Sequence, residues 1–254
     1  MRHCLCILVP RKQFLEVYHA YRTMENNGDR IADRKNVLVR DKGIRGIVIK
    51  LGNMLRHFYE AEDMLVFGSG YSLALASYKA MECEKTGMEF AVGIPGSIGG
   101  AVYMNAGAYD GEMQNIVNCV KVMDLQGNER VLTAEELNFG YRKTSLQNSG
   151  LIVTEVTLKM PSGNKDEIKS KMDDFSHRRI SKQPLEMPSA GSMFKRPPGY
   201  FAGTLIDQAG LKGYTVGGAQ ISTKHAGFVV NVGGATAADV LQLIKDVQTK
   251  IKAG

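Results

Sequence analysis

The chain has 254 residues, 44% of them hydrophobic and 23% charged, enough for one large or two modest cores, and no apolar run nears the ~18 residues that cross a bilayer. Its formal charge of +6 is dispersed, without basic runs interleaved with aromatics, which favours an anionic small molecule such as a nucleotide over nucleic acid or a membrane. Cys4, Cys6, Cys83 and Cys119 lack C-x-x-C spacing and scaffold density, and no histidine pair falls at i, i+4 with carboxylates, which argues against a disulfide-stapled secreted domain and a metal site.

The apolar core of Met1-Arg-His-Cys-Leu-Cys-Ile-Leu-Val-Pro10 is too short for a secretory signal and no small-residue cleavage site follows it, so it reads as a strand of a cytoplasmic protein. Phe14, Val17, Tyr18 and Tyr21 recur at helical spacing and predict an amphipathic helix over residues 11–25, stopped by Asn26-Asn27-Gly28. Apolar, β-branched runs then predict strands at residues 37–39, 46–50 and 64–67, followed by a helix over 72–84. After a glycine-rich segment, residues 118–124 and 129–132 read as a hairpin across Gln126-Gly127-Asn128. Ile152, Thr154, Val156 and Leu158 alternate with Val153, Glu155, Thr157 and Lys159 as one strand. Pro161-Ser-Gly-Asn164 reads as a linker, and a helix begins near Asn164 with Asp166 and Glu167 in its first turn and Ile168, Met172 and Phe175 turned inward. The last helix is announced by Thr236-x-x-Asp239, with Val240, Leu241, Ile244, Val247 and Ile251 on its inward face. The expected division is a domain over 1–160, with lobes of about 1–50 and 51–160, and a second domain over 161–254.

Residues 93–112 pack glycine, alanine and serine around Pro95 with hardly a charge. Glycines let backbone N–H groups converge on phosphate oxygens, so the segment reads as a nucleotide nest, with a tight turn and a poorly packed hairpin as the plainer alternative. Neither the dinucleotide fingerprint nor the Walker loop fits it. Two further clusters, Phe139-Gly-Tyr-Arg-Lys-Thr-Ser145 and Ser189-Ala-Gly-Ser-Met-Phe-Lys-Arg-Pro-Pro198, set polar residues beside small ones as site edges do. Arg142 reads as a surface cation, a structural salt bridge or part of a site edge, and Ser192 as either a turn hydroxyl or a proton donor. No Gly-x-Ser-x-Gly elbow surrounds Ser192, which disfavours a hydrolase nucleophile. Arg179, Lys182 and Lys195 form either a solvated basic face or a clamp for phosphates or a carboxylate. His225 reads as a satisfied polar residue rather than a catalyst.

In this order, Asn36-Val-Leu-Val-Arg-Asp-Lys-Gly43, the 93–112 segment, Phe139-Gly-Tyr-Arg142, residues 189–197, Tyr200-Phe-Ala-Gly203, Ala209-Gly-Leu-Lys-Gly213 and Gly217-Gly-Ala-Gln220 resemble the UDP-N-acetylenolpyruvoylglucosamine reductase family. The short run between Arg142 and Ile152 resembles its compact second type. The resemblance implies an α+β protein: an FAD-binding domain of the vanillyl-alcohol-oxidase (PCMH) type, then a smaller α/β substrate-binding domain. It also implies an oxidoreductase in which NADPH reduces FAD and hydride then passes to an enolpyruvyl UDP-sugar, giving UDP-N-acetylmuramate for peptidoglycan. Arg142 matches the family's catalytic cation and Ser192 its proton donor. The FAD cradle maps onto Asn36, Gly93, Ile94, Pro95, Gly96, Ser97, Gly99, Gly100, Asn105, Gly107, Ala108 and Tyr109, and substrate contacts onto Tyr141, Arg179, Lys182, Lys195 and Gln220. Three departures accompany the match. Ala32-Asp-Arg-Lys-Asn36 stands where the family has a G-x-G-S-N turn, and neither the family's opening strand nor its terminal strand with a catalytic glutamate has a counterpart in the sequence. These departures imply the alternative of an impaired or truncated member that binds a UDP-sugar or flavin without turnover.

Overall fold

The computed structural model describes residues 6–9, 38–43, 48–51, 55–124 and 126–253. The expected helix over 11–25, Asn36 and the altered turn before it lie outside the described residues. Two compact units emerge, Met1–Lys35 with Arg45–Ser176, and Asn36–Ile44 with His177–Gly254.

In the first unit, β1 (Cys6–Val9) and β2 (Val48–Leu51) fall on apolar runs read as strands, and they pair in parallel. The hairpin of β3 (Phe58–Ala61) and β4 (Met64–Gly68) turns at Glu62, whose φ is 53°. β3 escapes sequence reading because Tyr59 and Glu60 face solvent and break the apolar run. α1 (Leu73–Glu82) starts at Ser72, whose hydroxyl caps Leu75 N, and buries Leu73, Ala76 and Ala80. α2 (Ile98–Tyr103) and the short strands β5 (Gly107–Ala108) and β6 (Gly111–Glu112) follow within the glycine-rich segment.

β7 (Val117–Met123), β8 (Glu129–Thr133) and β9 (Ile152–Lys159) complete an antiparallel five-stranded sheet of order β3-β4-β9-β7-β8. One face carries Leu65, Phe67, Val120, Val122, Val156 and Leu158 into a core shared with α1 and α2. The expected alternation in β9 holds from Thr154 onward. A register shift opposite Lys121 and Val122 brings Val153 inward as well as Ile152. α3 (Lys165–Lys182) begins where Asn164 Oδ1 accepts from Asp166 N and Glu167 N, at 2.9 and 3.1 Å. Its Ile168, Met172 and Phe175 are buried together with Val92.

In the second unit, β10 (Ser189–Ser192), α4 (Ala202–Gln208), β11 (Thr215–Val216), β12 (Ala219–Ile221), β13 (Phe228–Asn231) and α5 (Ala237–Ala253) surround a core of Ile206, Leu211, Ala219, Ile221, Val229, Leu243 and Val247. The antiparallel sheet runs β10-β13-β12-β11. Two expectations are corrected here. Leu241 is 47% exposed while Leu243 is fully buried. At about 100° per residue, Leu243 lies beside the Val240, Ile244, Val247 arc and Leu241 well outside it. The described part of the expected 37–39 strand is irregular, with Leu38 and Val39 exposed. Among the described residues no strand pairs with it. Gly43 N instead closes a turn onto Arg40 O at 2.8 Å.

Candidate active site

The glycine-rich segment is neither a plain hairpin nor a bare loop. Gly99 donates its N–H to Ser69 O at 2.9 Å, and a Cβ at position 99 would lie 2.7 Å from Ser69 Cβ, so this glycine lets α2 sit against the end of β4. Ser97 Oγ caps α2 by accepting from Gly100 N at 3.4 Å. Gly96 has φ +129°, with no heavy atom within 4 Å of where a Cβ would stand. Gly93, Pro95 and Gly100 are exposed, while Ile94 packs on the core. Ser69 Oγ is buried with no hydrogen-bond partner. Open backbone on one side and an unpartnered buried hydroxyl behind it are what a phosphate-bearing cofactor such as FAD requires, so the residues present fit that group.

After α2, Ala108 and Gly111 pair across a turn in which Tyr109 and Asp110 both take positive φ, 51° and 63°. The Tyr109 ring stacks on Phe175, centroids 4.5 Å apart. Asn105, fully buried at φ 41°, ties this stretch together. Its Nδ2 donates to Glu112 Oε2 and Gly140 O, both at 3.1 Å, and to Gln114 Oε1 at 3.4 Å. Its Oδ1 accepts from Gln114 N at 3.0 Å.

Arg142 is tied to the backbone of the glycine-rich segment. Its φ is 54°, and Nη1 and Nη2 donate to the carbonyls of Asn105 and Gly107, each at 2.9 Å. It is therefore a half-buried fork on backbone oxygens, not a freely solvated cation. A guanidinium has five N–H donors, so this engagement leaves others for an anion. Its Cζ lies 5.3 Å from the Tyr141 ring centroid, and Tyr141 is 53% exposed. Gln147 Nε2 holds the Arg142 carbonyl at 3.1 Å.

The other candidate residues belong to the second unit. Ser192 ends β10 opposite Phe228, one residue after Gly191 at φ +86°. Lys195 and Lys182 are exposed, and Arg179 Nη1 contacts Gln183 Oε1 at 3.4 Å. Gln220 in β12 donates to Thr215 Oγ1 at 3.0 Å. His225 is satisfied as expected: its Nδ1 accepts from Gly227 N at 3.1 Å, and burial pushes its pKa below the ordinary value. Sequence reasoning missed Ser69 and Gly227, whose roles depend on partners far along the chain.

The FAD binding domain family matches residues 27–133, and the C-terminal domain of UDP-N-acetylenolpyruvoylglucosamine reductase matches residues 183–254. A UDP-N-acetylenolpyruvoylglucosamine reductase of Clostridium perfringens is 51% identical over 222 residues, covering 87% of this chain and 73% of that protein. The chain belongs to the UDP-N-acetylenolpyruvoylglucosamine reductase family. A reductase of the same name from Clostridioides difficile is 48% identical over 223 residues, covering 88% of this chain and 73% of that one. The crystal structure of the Thermus caldophilus reductase aligns with a TM-score of 0.82 at 38% identity, over 96% of this chain and 86% of that one. The protein is thus an α+β flavin-dependent oxidoreductase with FAD as its cofactor. The exposed glycines of the 93–112 segment and the unpartnered Ser69 fall within the matched FAD-binding stretch.

Proposed function

We propose that this chain reduces UDP-N-acetylglucosamine enolpyruvate to UDP-N-acetylmuramate with NADPH as hydride donor, supplying peptidoglycan precursor in the cytoplasm. In this reading the domain expected over residues 1–160 binds FAD and the one expected over 161–254 binds the UDP-sugar. The observation that carries the reading is the Arg142 fork, held by two backbone carbonyls with donors to spare. FAD, held by the cradle residues, would supply two-electron relay chemistry between NADPH and the substrate.

Hydride arrives at the methylene carbon of the enolpyruvyl group, and negative charge develops on the adjacent carbon and its carboxylate. Arg142 meets that carboxylate with a cation fixed before the charge appears, so little reorganisation accompanies the step. The Ser192 hydroxyl donates its proton to the adjacent carbon. An enolate is basic enough to take it from an alcohol held at hydrogen-bond distance, although water would compete poorly oriented. Arg179, Lys182 and Lys195 hold the diphosphate, and Tyr141 and Gln220 contact the rest of the substrate. Asn36, Gly93, Ile94, Pro95, Gly96, Ser97, Gly99, Gly100, Asn105, Gly107, Ala108 and Tyr109 form the FAD cradle. In the net reaction one hydride from NADPH, which leaves as NADP⁺, and one proton from Ser192, replaced from solvent, saturate the double bond.

Ala32 and Arg34, where the family pattern has glycines, favour a second reading in which ligands bind without turnover. One experiment separates the two. The purified chain is expected to show an oxidised-flavin absorption band, to lose it on adding NADPH, and to regain it on adding the enolpyruvyl substrate without oxygen. A protein that stays colourless with FAD, or a band that never returns with substrate, overturns the reductase reading.

A further inference from the structure

The proton donor assigned to Ser192 needs a fixed place, yet a serine hydroxyl at an exposed strand end has little to hold it. What borders it is Gly227. A Cβ at position 227 would lie 3.3 Å from Ser192 Oγ and 3.1 Å from His225 Cε1, so the space left by the missing side chain of Gly227 borders both the serine hydroxyl and the imidazole. Backbone bonds lock the two strands there. Ser192 pairs with Phe228 across β10 and β13, and Met193 N donates to Gly227 O at 3.0 Å.

Gly227 is held in turn by His225. Its N–H donates to His225 Nδ1 at 3.1 Å, and Phe228 N donates to His225 O at 3.0 Å. Ser222 Oγ accepts from His225 N at 3.2 Å and from Lys224 N at 3.1 Å, closing the turn from the other side. The ring packs edge-on to Phe228, with centroids 4.9 Å apart. A Cβ on Gly203 of α4 would come within 3.4 Å of its Cε1. With Nδ1 an acceptor, the ring proton sits on Nε2. Protonating Nδ1 would set two donors against each other, and both burial and the charge of Lys212 oppose it.

We propose that His225 is a positioning residue for the reaction: its neutral imidazole fixes Gly227, and Gly227, having no side chain, fixes the place of the Ser192 hydroxyl. The inference rests on the reading of Ser192 as proton donor. It makes His225 neither acid nor base. An asparagine at 225 can accept from the N–H two residues on through its side-chain oxygen, and so restore the turn that an alanine loses.

The test uses the holoenzyme and follows the two half-reactions apart by stopped flow. His225→Ala is expected to leave NADPH-dependent bleaching of the flavin band unchanged and to slow its return with enolpyruvyl substrate by roughly 10–10²-fold, the scale of a misplaced reacting group. His225→Asn is expected to recover the return rate to within a few-fold, and Gly227→Ala to slow it although the histidine remains. Ser192→Ala, measured beside them, separates the two ideas. If it returns at the wild-type rate, the reading of Ser192 fails. If it is slow while His225→Ala is fast, the inference about His225 fails. Should His225→Ala not fold, the Asn and Gly227 variants still decide. ¹⁵N NMR of the wild-type imidazole at neutral pH gives a readout independent of turnover. An unprotonated Nδ1 is expected, and a protonated one overturns the proposal.

Discussion

Asn105 shows how one buried side chain can serve both the fold and the site. Its amide satisfies Gln114 N and Gly140 O, while its own carbonyl receives Arg142 Nη1. Asn105→Ala removes the acceptor of Gln114 N and one of the two donors to Gly140 O, which keeps Lys143 N at 3.1 Å, a loss of about 1 kcal/mol. Urea unfolding is expected to show it as a lower midpoint at unchanged slope. Turnover is expected to fall as well, because the backbone that seats Arg142 shifts. Arg142→Lys tests the fork itself. A lysine has no planar pair of donors for the carbonyls of Asn105 and Gly107, and kcat with enolpyruvyl substrate is expected to drop about 10²–10³-fold while flavin content stays constant. An unchanged kcat removes Arg142 from the chemistry. That the Phe-Gly-Tyr-Arg cluster stands apart from an ordinary core was legible because polar residues beside glycine fit a core badly. Its partners were not, because backbone carbonyls carry no side-chain identity.

Local capping carries several elements, and a distant residue redirects at least one. The start of α5 illustrates both. Thr236 and Asp239 form the expected reciprocal box, with Thr236 N donating to Asp239 Oδ2 at 2.9 Å and Asp239 N to Thr236 Oγ1 at 3.1 Å. Asp41, far earlier in the chain, adds a second cap that no local pattern announces: Oδ1 and Oδ2 accept from Ala237 N and Ala238 N at 2.7 and 3.1 Å. This tie also explains why Leu38 and Val39 leave the expected strand. Their segment is anchored through a carboxylate on a helix terminus, where the dipole favours negative charge, rather than through a ladder. Asp41→Ala is expected to cost about 1 kcal/mol in urea unfolding and to expose residues 38–43 to limited proteolysis. Equal cleavage of variant and wild type discounts the anchor. Asp41→Asn keeps acceptor geometry on one oxygen and is expected to fall between the two.

The whole molecule divides its labour between two cores of different size. The first is built on the five-stranded sheet with α1 and α2, and the second on a smaller sheet with α4 and α5. Fold class was legible from motifs spread over nearly the whole chain. The partition of nine residues around Asp41 into the second unit was not, since it depends on contacts between distant segments. His225 and Glu155, one in each unit, respond to different pH ranges. His225 has a lowered pKa, first from burial, so it binds fewer protons folded than unfolded. The stability it supports is present above its ordinary value of 6.5 and is lost as pH falls toward its folded pKa. In the first unit, burial pushes the Glu155 carboxyl up, but hydrogen bonds from His57 and Lys121, at 3.1 and 3.3 Å, outweigh it and leave a net lowering. That contribution persists above the ordinary 4.5 and disappears only below it. Acidification is therefore expected to loosen the second unit first. Hydrogen exchange, corrected for intrinsic rates, at pH about 7 and about 5.5 checks this: β12 and β13 should lose protection while β7 and β9 keep theirs. His225→Asn, which cannot be protonated, should abolish the difference. Loss of protection in β7 and β9 first, or an undiminished loss in the asparagine variant, places the acid-sensitive group elsewhere.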